Sequence, residues 1–223
     1  MTFALVIFDC DGVLVDSEPI AIGVLLDVLA EIGLPMTPEE CTRTFIGRSA
    51  PACCEIIQER FGRPLPVGFL RDWEERMFAA FRREVKRIPG VAEALDRLQI
   101  PYCVASSGSH SRMEVTLGTT GLLPRLRGRV FSSADVTRGK PFPDLYLHAA
   151  RGIGVPPGQC AVVEDTVVGV QAGAAAGMTV FGFARDDHSN PAALERAGAT
   201  LFFDMLELPG LLQGRSSRAR GDA

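Results

Sequence analysis

The sequence predicts a doubly wound, Rossmann-like α/β core with a parallel sheet, into which an α-helical cap domain is inserted. Short apolar runs recur along the chain and helix-period segments separate them, the pattern of alternating strands and helices. After the first run, about 70 residues show only helical patterns, whereas a single crossover needs roughly one helix. The 223 residues, 47% of them hydrophobic, suffice for such a core with an insert.

The predicted strands begin with residues 3–8, a run that is apolar throughout rather than alternating. Such a run is typical of a strand that helices cover on both faces of a parallel sheet. The other predicted strands share this apolar character and lie at 102–105, 130–131, 160–163 and 179–183. The helices predicted to follow or separate them span 91–98, 111–117, 144–151 and 167–176.

The cap domain is predicted to occupy residues 17–87, between core segments 1–16 and 88–213. Its helical patterns lie at 20–32, 53–61 and 69–85, and glycine and proline residues between them supply the helix ends. The two connections, near 16–17 and 87–88, are expected to act as hinges. The polar residues 214–223 are expected to form a flexible tail.

The composition argues against several classes of protein. The net charge of −4 is spread along the chain, so no nucleic-acid partner is expected. No run approaches the roughly 18 apolar residues of a membrane span, and the first residues lack the basic segment of a secretory signal. The six cysteines form no Cys-x-x-Cys pair and are expected to be reduced core thiols. We therefore expect a cytoplasmic monomer.

Two carboxylates, Asp9 and Asp11, directly follow the first apolar run in the segment Asp-Cys-Asp-Gly-Val. Residues two apart on an extended segment face the same side, and open α/β sheets bind ligands where their strands end. Close carboxylates repel each other unless a cation or the partners of a phosphoryl group neutralise them. A surface turn is the alternative interpretation, but it does not explain a pair that follows six apolar residues.

A second acidic pair, Glu164 and Asp165, ends the predicted strand 160–163. If all strands are parallel, this pair lies at the same sheet edge as Asp9 and Asp11. Taken alone, the pair could simply favour the start of the following helix. Clustered carboxylate oxygens suit Mg²⁺, so the four acids together predict a magnesium site.

Two further motifs carry groups that can bind phosphate. Lys140 lies in a short loop whose prolines fix the backbone, where it could balance the carboxylates and hold a phosphoryl oxygen. Ser106, Ser107 and Gly108 end the predicted strand 102–105. Hydroxyls and amides at a helix start can cradle phosphate, although Ser-rich turns are also common helix caps.

In this order the four motifs resemble those of the haloacid dehalogenase-like superfamily, over nearly the whole chain. Within it, the chain is most similar to β-phosphoglucomutases, phosphoglycolate phosphatases and sugar-phosphate phosphatases, including bacterial phosphatases of 6-phosphogluconate. The resemblance implies an Mg²⁺-dependent phosphatase that hydrolyses a small phosphorylated metabolite through an aspartyl phosphate. Asp9 would be the nucleophile, and Asp11 the general acid and then the base. The metal would be bound by Asp9, Asp165, Glu164 and the backbone carbonyl of Asp11.

The resemblance also assigns binding roles. Ser106 and Lys140 would hold the phosphoryl oxygens, with the amides near Ser107 and Gly108 assisting. In the cap, Arg48 and Arg76 are candidates to bind the substrate, although each could equally be a solvated surface arginine. Trp73 is expected to pack inside the cap, and His110 is expected at the surface.

Two other functions remain open at this stage. β-Phosphoglucomutases carry a cap histidine after the first motif, and the corresponding position here is Ala21, which favours a hydrolase. A non-catalytic phosphoacceptor of the receiver type also combines acids with a lysine, but such domains are shorter and lack a helical insert. Dehalogenases lack the second aspartate, so Asp11 argues against dehalogenation.

Overall fold

The computed structural model describes residues 3–185 and 190–214. The predicted tail, apart from Gly214, lies outside the described residues. The described strands are β1 (Leu5–Phe8), β2 (Val15–Asp16), β3 (Lys86–Arg87), β4 (Tyr102–Ser106), β5 (Val130–Ser132), β6 (Cys160–Glu164), β7 (Thr179–Phe183) and β8 (Thr200–Phe202). The described α-helices are α1 (Glu18–Glu31), α2 (Pro38–Phe45), α3 (Ala50–Phe61), α4 (Phe69–Glu84), α5 (Val91–Arg97), α6 (His110–Thr119), α7 (Leu123–Leu126), α8 (Asp144–Ile153), α9 (Val167–Ala175), α10 (Pro191–Arg196) and α11 (Leu208–Leu212).

A parallel sheet of six strands, ordered β5-β4-β1-β6-β7-β8, forms the core and confirms the predicted fold class. Every residue of β1 and of β6 is buried, as their continuous apolar runs predict. Along β1, Val6 and Phe8 pack into one hydrophobic cluster while Leu5 and Ile7 pack into another. Because successive side chains point to opposite faces of a strand, this alternation shows that helices cover both faces of the sheet.

The segment between β2 and β3 contains four helices, α1 to α4, and has a buried cluster of its own. That cluster includes Leu29, Phe45, Ile57 and Trp73. The two connections to the sheet run side by side, because β2 and β3 pair in antiparallel fashion. The observed helices agree with the predicted content of residues 17–87, while the domain boundaries and the hinge motion stay predictions.

Several short elements were not predicted, for two physical reasons. Strands β2, β3 and β8 have two or three residues each, too few to show a hydrophobic period. The prediction that no strand interrupts residues 17–88 was wrong for β3. Helix α2 has only eight residues and buries only Cys41 and Phe45, so few positions reveal its period, and its start depends on the Thr37 cap.

The six cysteines carry free thiols, and all but Cys54 are buried, as predicted. Burial raises the pKa of the Cys103 thiol to about 12, which keeps it protonated and unreactive. Within residues 3–185 and 190–214, none of the helices has the length and apolar character needed to cross a membrane.

Candidate active site

The carboxyl ends of β1 and β6 bring the two acidic motifs together. The two strands pair in parallel register, and the backbone N–H of Asp9 donates to the Val163 carbonyl at 2.9 Å. Lys140 Nζ donates to Asp9 Oδ1 and to Glu164 Oε1, each at 2.6 Å. The side chain of Lys140 is only 2% exposed. We call Asp9, Lys140 and Glu164 the charged bridge, since one buried ammonium joins two carboxylates.

Glu164 is held in place by hydrogen bonds to both of its carboxylate oxygens. Oε1 also accepts from Tyr146 Oη at 2.8 Å, and Oε2 accepts from the backbone N–H of Asp165 and from the N–H and hydroxyl of Thr166. Burial opposes ionisation, but Lys140 and these donors hold the pKa of Glu164 below its ordinary value. Glu164 is therefore an ionised carboxylate that orients Lys140.

The pKa values of Asp9 and Lys140 are both raised, which disfavours the charged form of Asp9 and favours the charged form of Lys140. Burial raises the pKa of Asp9 from its ordinary 3.8 to about 7; Glu164 and Asp11 act in the same direction and Lys140 opposes them. Burial also disfavours the charged form of Lys140, yet Asp9 and Glu164 hold the pKa of the ammonium well above its ordinary value. The site thus contains a permanent cation and a carboxylate whose ionisation needs further positive charge.

Asp165 is, like Asp9, a carboxylate whose ionised form is disfavoured by its surroundings. Burial raises its pKa well above the ordinary value, and Glu18 and Glu164 act in the same direction. Its Oδ1 is buried and has no hydrogen-bond partner among the described residues. Gly12, at a φ of 76°, lets the loop after Asp11 approach so closely that a Cβ there would lie 1.9 Å from Asp165 Oδ2.

These observations fit a bound cation near Asp9 and Asp165. Both carboxylates have raised pKa values, and one oxygen of Asp165 lacks a partner in the described structure. Three His, Cys, Asp or Glu side chains do not converge as a metal-binding group anywhere in the described part of the chain. A metal here would consequently need main-chain and substrate oxygens in addition to the two carboxylates.

Asp11 faces a set of donors that the sequence did not reveal. Its Oδ1 accepts from the Ser17 hydroxyl and from Arg112, whose Nη2 lies at 2.9 Å and Nε at 3.3 Å. Arg112 belongs to α6, so the carboxylate after β1 is fixed by the helix that follows β4. The contacts between described residues leave Oδ2 of Asp11 without a donor.

The loop after β4 has the geometry of an anion cradle. Ser106 is 1% exposed, and its Oγ accepts from the Gly108 N–H at 3.0 Å. The end of β5 and the turn after it hold the loop in place, because Ser132 Oγ donates to the Gly108 carbonyl at 2.7 Å and Ser133 Oγ donates to the Ser107 carbonyl at 2.8 Å. The carbonyls of Ser107 and Gly108 are thus occupied, and the loop lies at the N-terminus of α6, where amides and hydroxyls can bind an anion.

A cavity of about 290 Å³ lies between this sheet edge and the inserted helices. It is lined by nearly all of the predicted site residues: Asp9, Asp11, Arg48, Ser106, Ser107, Gly108, Lys140 and Glu164. Asp165 lines a neighbouring cavity and not this one. The arrangement places a carboxylate that could act as a nucleophile, a buried cation and a candidate anion-binding loop around one space, which is suited to phosphoryl transfer.

The family model described as haloacid dehalogenase-like hydrolase matches residues 3–177. The chain belongs to this family. Among curated relatives, the 6-phosphogluconate phosphatase of Escherichia coli (strain K12) is 33% identical over 215 residues, which cover 94% of this chain and 95% of the relative. The chain is therefore an enzyme, a phosphatase of the haloacid dehalogenase-like family.

Solved structures agree with this assignment. A conserved haloacid dehalogenase-like protein of unknown function from Agrobacterium tumefaciens is 38% identical, with a TM-score of 0.80 over 95% of this chain and 98% of its own. A haloacid dehalogenase family hydrolase from Deinococcus radiodurans, solved with bound phosphate and sodium, is 36% identical. Its TM-score is 0.75, and 96% of each chain is covered.

The two arginines of the predicted cap in this haloacid dehalogenase-like phosphatase lie in different places. Arg48 lines the cavity and donates from Nε to the Thr44 carbonyl at 3.0 Å, so it remains a candidate for substrate binding. Arg76 does not line the cavity and is paired with Glu31 at 2.6 Å and with Asp72 at 3.0 Å. The structure does not bring Arg76 to the cavity, because its guanidinium pairs with surface carboxylates, and substrate binding by Arg76 stays an untested prediction.

The expectations for Trp73 and His110 agree with the structure. Trp73 is 4% exposed and belongs to the buried cluster of the inserted helices. His110 is 53% exposed and pairs with Asp135 at 2.9 Å, away from the cavity lining.

Sequence reasoning missed four residues that hold the site: Ser17, Arg112, Tyr146 and Thr166. Tyr146 lies within a predicted helix, and its only signal was the presence of a hydroxyl on an otherwise apolar helix face. Arg112 and Ser17 gave no signal, because an arginine or a serine near a helix start is most often solvated or capping.

A close approach between Glu164 and α9 gives a first testable prediction. Gly169 lies against the carboxylate, and a Cβ there would come within 1.7 Å of Glu164 Oε1. Gly169→Ala is expected to displace Glu164 and to lower the free energy of unfolding by about 1–3 kcal/mol, the usual cost of overpacking. Urea unfolding measures this change.

The matched control is Gly23→Ala. This glycine is also helical, but a Cβ there meets nothing within 4 Å, so alanine should stabilise α1 slightly through its helix propensity. Equal unfolding free energies for Gly169→Ala and the wild type would contradict the close contact.

Proposed function

We propose that this phosphatase hydrolyses the phosphate ester of a small metabolite, a sugar phosphate or a sugar-acid phosphate, in an Mg²⁺-dependent reaction through a phosphorylated Asp9. The charged bridge carries the proposal, because it fixes one oxygen of Asp9 beside a cation at the wall of the cavity. The relatives support it: one acts on 6-phosphogluconate, and another was solved with bound phosphate.

In the first step, Asp9 attacks the phosphorus of the ester. Lys140 holds Oδ1, so Oδ2 is the oxygen that forms the new bond. The hydroxyl of Ser106, the loop amides and Lys140 hold the phosphoryl oxygens where negative charge develops. The bond from phosphorus to the leaving oxygen breaks as Asp11 donates a proton to the departing alcohol.

In the second step, Asp11 acts as a base instead of an acid, and Asp9 becomes the leaving group. Asp11, now ionised, accepts a proton from a water molecule that attacks the phosphorus. The bond between phosphorus and Asp9 breaks, inorganic phosphate is released, and the Asp9 carboxylate is restored. Splitting the hydrolysis in this way replaces one difficult step by two easier ones.

The proposed ligands of Mg²⁺ are the carboxylates of Asp9 and Asp165 and the main-chain carbonyl of Asp11. When bound, Mg²⁺ supplies positive charge that offsets the repulsion between the Asp9 carboxylate and the phosphate. Glu164 is assigned a different role from the predicted one. Both of its oxygens already accept hydrogen bonds, so we propose that it positions Lys140 and does not bind the metal directly.

A panel of phosphate esters tests the proposed function. It should contain glucose 6-phosphate, 6-phosphogluconate, phosphoglycolate, β-glucose 1-phosphate and p-nitrophenyl phosphate, each with Mg²⁺. We expect release of inorganic phosphate from a sugar or sugar-acid ester. Removal of the metal with EDTA should lower the rate by about 100-fold, because a catalytic metal contributes several kcal/mol, and added Mg²⁺ should restore it.

The panel also separates the alternatives. Conversion of β-glucose 1-phosphate to glucose 6-phosphate without stoichiometric release of phosphate would favour a mutase. Absence of turnover with every ester would refute the proposed function. Full activity in EDTA would refute its dependence on Mg²⁺.

A further inference from the structure

Arg112 belongs to the wall of the proposed catalytic cavity, although no sequence motif contains it. Three cations line that cavity: Arg48, Arg112 and Lys140. Arg48 is exposed and Lys140 forms the charged bridge, whereas the side chain of Arg112 is 19% exposed and paired with Asp11. Arg112 is therefore the cation that contacts the proposed general acid.

The contact fixes which oxygen of Asp11 can carry a proton. Oδ1 accepts from two nitrogens of Arg112 and from the hydroxyl of Ser17. A protonated carboxyl has one O–H donor, and an oxygen surrounded by three donors cannot also be that donor. A proton on Asp11 therefore resides on Oδ2.

The guanidinium of Arg112 is itself held by the inserted helices. Its Cζ lies 5.1 Å from the centroid of the Phe81 ring, and its Nη1 lies 3.4 Å from Met77 Sδ. Both α4 side chains are buried, at 0% and 1% exposure. An arginine stacked on an aromatic ring loses little further freedom on pairing with a carboxylate, so α4 and α6 together define its orientation.

We propose that Arg112 is a positioning residue for proton transfer. This inference rests on the proposed function. Arg112 holds Oδ1 of Asp11 so that Oδ2 faces the oxygen of the departing alcohol. As the bond from phosphorus to that oxygen breaks, the proton moves from Oδ2 to the alcohol. The negative charge that remains on Asp11 is then compensated by the guanidinium.

The dependence on the leaving group tests this role. The anion of p-nitrophenol is stable and departs without a proton, whereas the alkoxide of a sugar needs one. In Arg112→Met, we expect kcat/KM to fall by about 100-fold for the sugar ester that the wild type hydrolyses fastest in the panel. For p-nitrophenyl phosphate, the same variant should lose less than about threefold, because kcat/KM reports the step in which the leaving group departs.

Two further variants show whether the selective loss in Arg112→Met comes from its contact with Asp11. Arg129→Met is the matched control, because Arg129 also stacks over an aromatic ring, Tyr102 at 5.1 Å, but lies outside the cavity lining. It should leave both rates close to those of the wild type. Arg112→Lys keeps the charge without the two-nitrogen contact, so it should show a smaller loss with the same selectivity, and it serves in place of Arg112→Met if that variant does not fold.

The possible outcomes separate this inference from the proposed function. Equal losses on both esters, or no loss on either, would overturn the role of Arg112 while leaving the phosphatase activity in place. A wild type that hydrolyses no ester would refute the proposed function itself, and the inference with it.

Discussion

Asp9→Asn is expected to lower the rate of phosphate release by about 10⁴-fold or more, the scale of loss when a covalent nucleophile is removed. The substituted side chain has nearly the same shape, but its amide cannot form a bond to phosphorus. The Glu164 carboxylate still pairs with Lys140 at 2.6 Å, so the ammonium keeps one partner and the site keeps its shape. Phosphate release from the best sugar ester measures the loss.

Mass spectrometry of rapidly quenched wild type should detect a phosphoryl group on the peptide that contains Asp9, and the variant should lack it. Asp96→Asn is the control, since that carboxylate lies at the surface, paired with Arg125. A residual rate within tenfold of the wild type would rule out Asp9 as the nucleophile.

The same variant should also change how stability depends on pH. The pKa of Asp9 in the folded protein is raised to about 7 from its ordinary 3.8, so folding favours the protonated form. Its contribution to stability is thus fully present below about pH 4 and is lost as the pH rises through about 7. Without metal, Asp9→Asn should be at least as stable as the wild type at pH 8, with the difference disappearing near pH 4. Thermal unfolding in EDTA at both pH values measures this.

The sheet and its acidic edge could be predicted because their signals are local. Residues 3–8 and 160–163 are apolar throughout, and the acids follow directly after each run. Once the strands are taken as parallel, their carboxyl ends must meet, so no exact register was needed to bring Asp9 and Glu164 together. The structure places Asp9 directly after β1 and Glu164 at the end of the adjacent strand β6.

One of the two cationic partners of these acids could be predicted and the other could not. Lys140, 131 positions from Asp9, was a candidate to balance the carboxylates because its proline-containing loop marks it. Arg112, 101 positions from Asp11, was missed because its position depends on distant packing. In the sequence, Arg112 resembles any arginine in the first turn of a helix. Its burial comes from contacts with Phe81 and Met77 of α4 and with Asp11, all distant in the sequence.

Arg76 shows why the helical period alone could not settle the role of a cap residue. The residues buried along α4 are Phe69, Trp73, Met77, Ala80 and Phe81, which define the face that packs inward. Arg76 lies at the border of that face, three residues after Trp73 and four before Ala80. Its surface ion pairs with Glu31 and Asp72 are visible only in the structure.

Lys140→Met is expected to have the second large effect, because it leaves two buried carboxylates without their shared cation. Removing one member of a buried ion pair typically costs about 3–5 kcal/mol of unfolding free energy. Loss of a group that stabilises developing charge should also lower kcat by about 10²–10³-fold. The methionine side chain is of similar length and keeps the packing beside Tyr146, so the change isolates the charge.

The pH dependence gives the sharper test of the charged bridge. In the wild type, Lys140 keeps the pKa of Glu164 below its ordinary value, which favours folding above that value. In Lys140→Met, burial without a cation raises the pKa of both carboxyls. Their contribution to stability is then present at low pH and is lost as the pH rises. The variant should therefore approach wild-type stability near pH 4 and differ most near pH 8, as measured by urea unfolding in EDTA.

Lys86→Met provides a matched control, since Lys86 is exposed on β3 and is the other lysine of the chain. It should change neither stability nor activity appreciably, because an exposed lysine contributes little to either. A loss of stability in Lys140→Met that is equal at pH 4 and pH 8 would show that the lysine acts through packing. The charge of Lys140 would then not be what keeps Glu164 ionised beside Asp9, and the positive charge that a nucleophilic Asp9 needs would have to come from the metal alone.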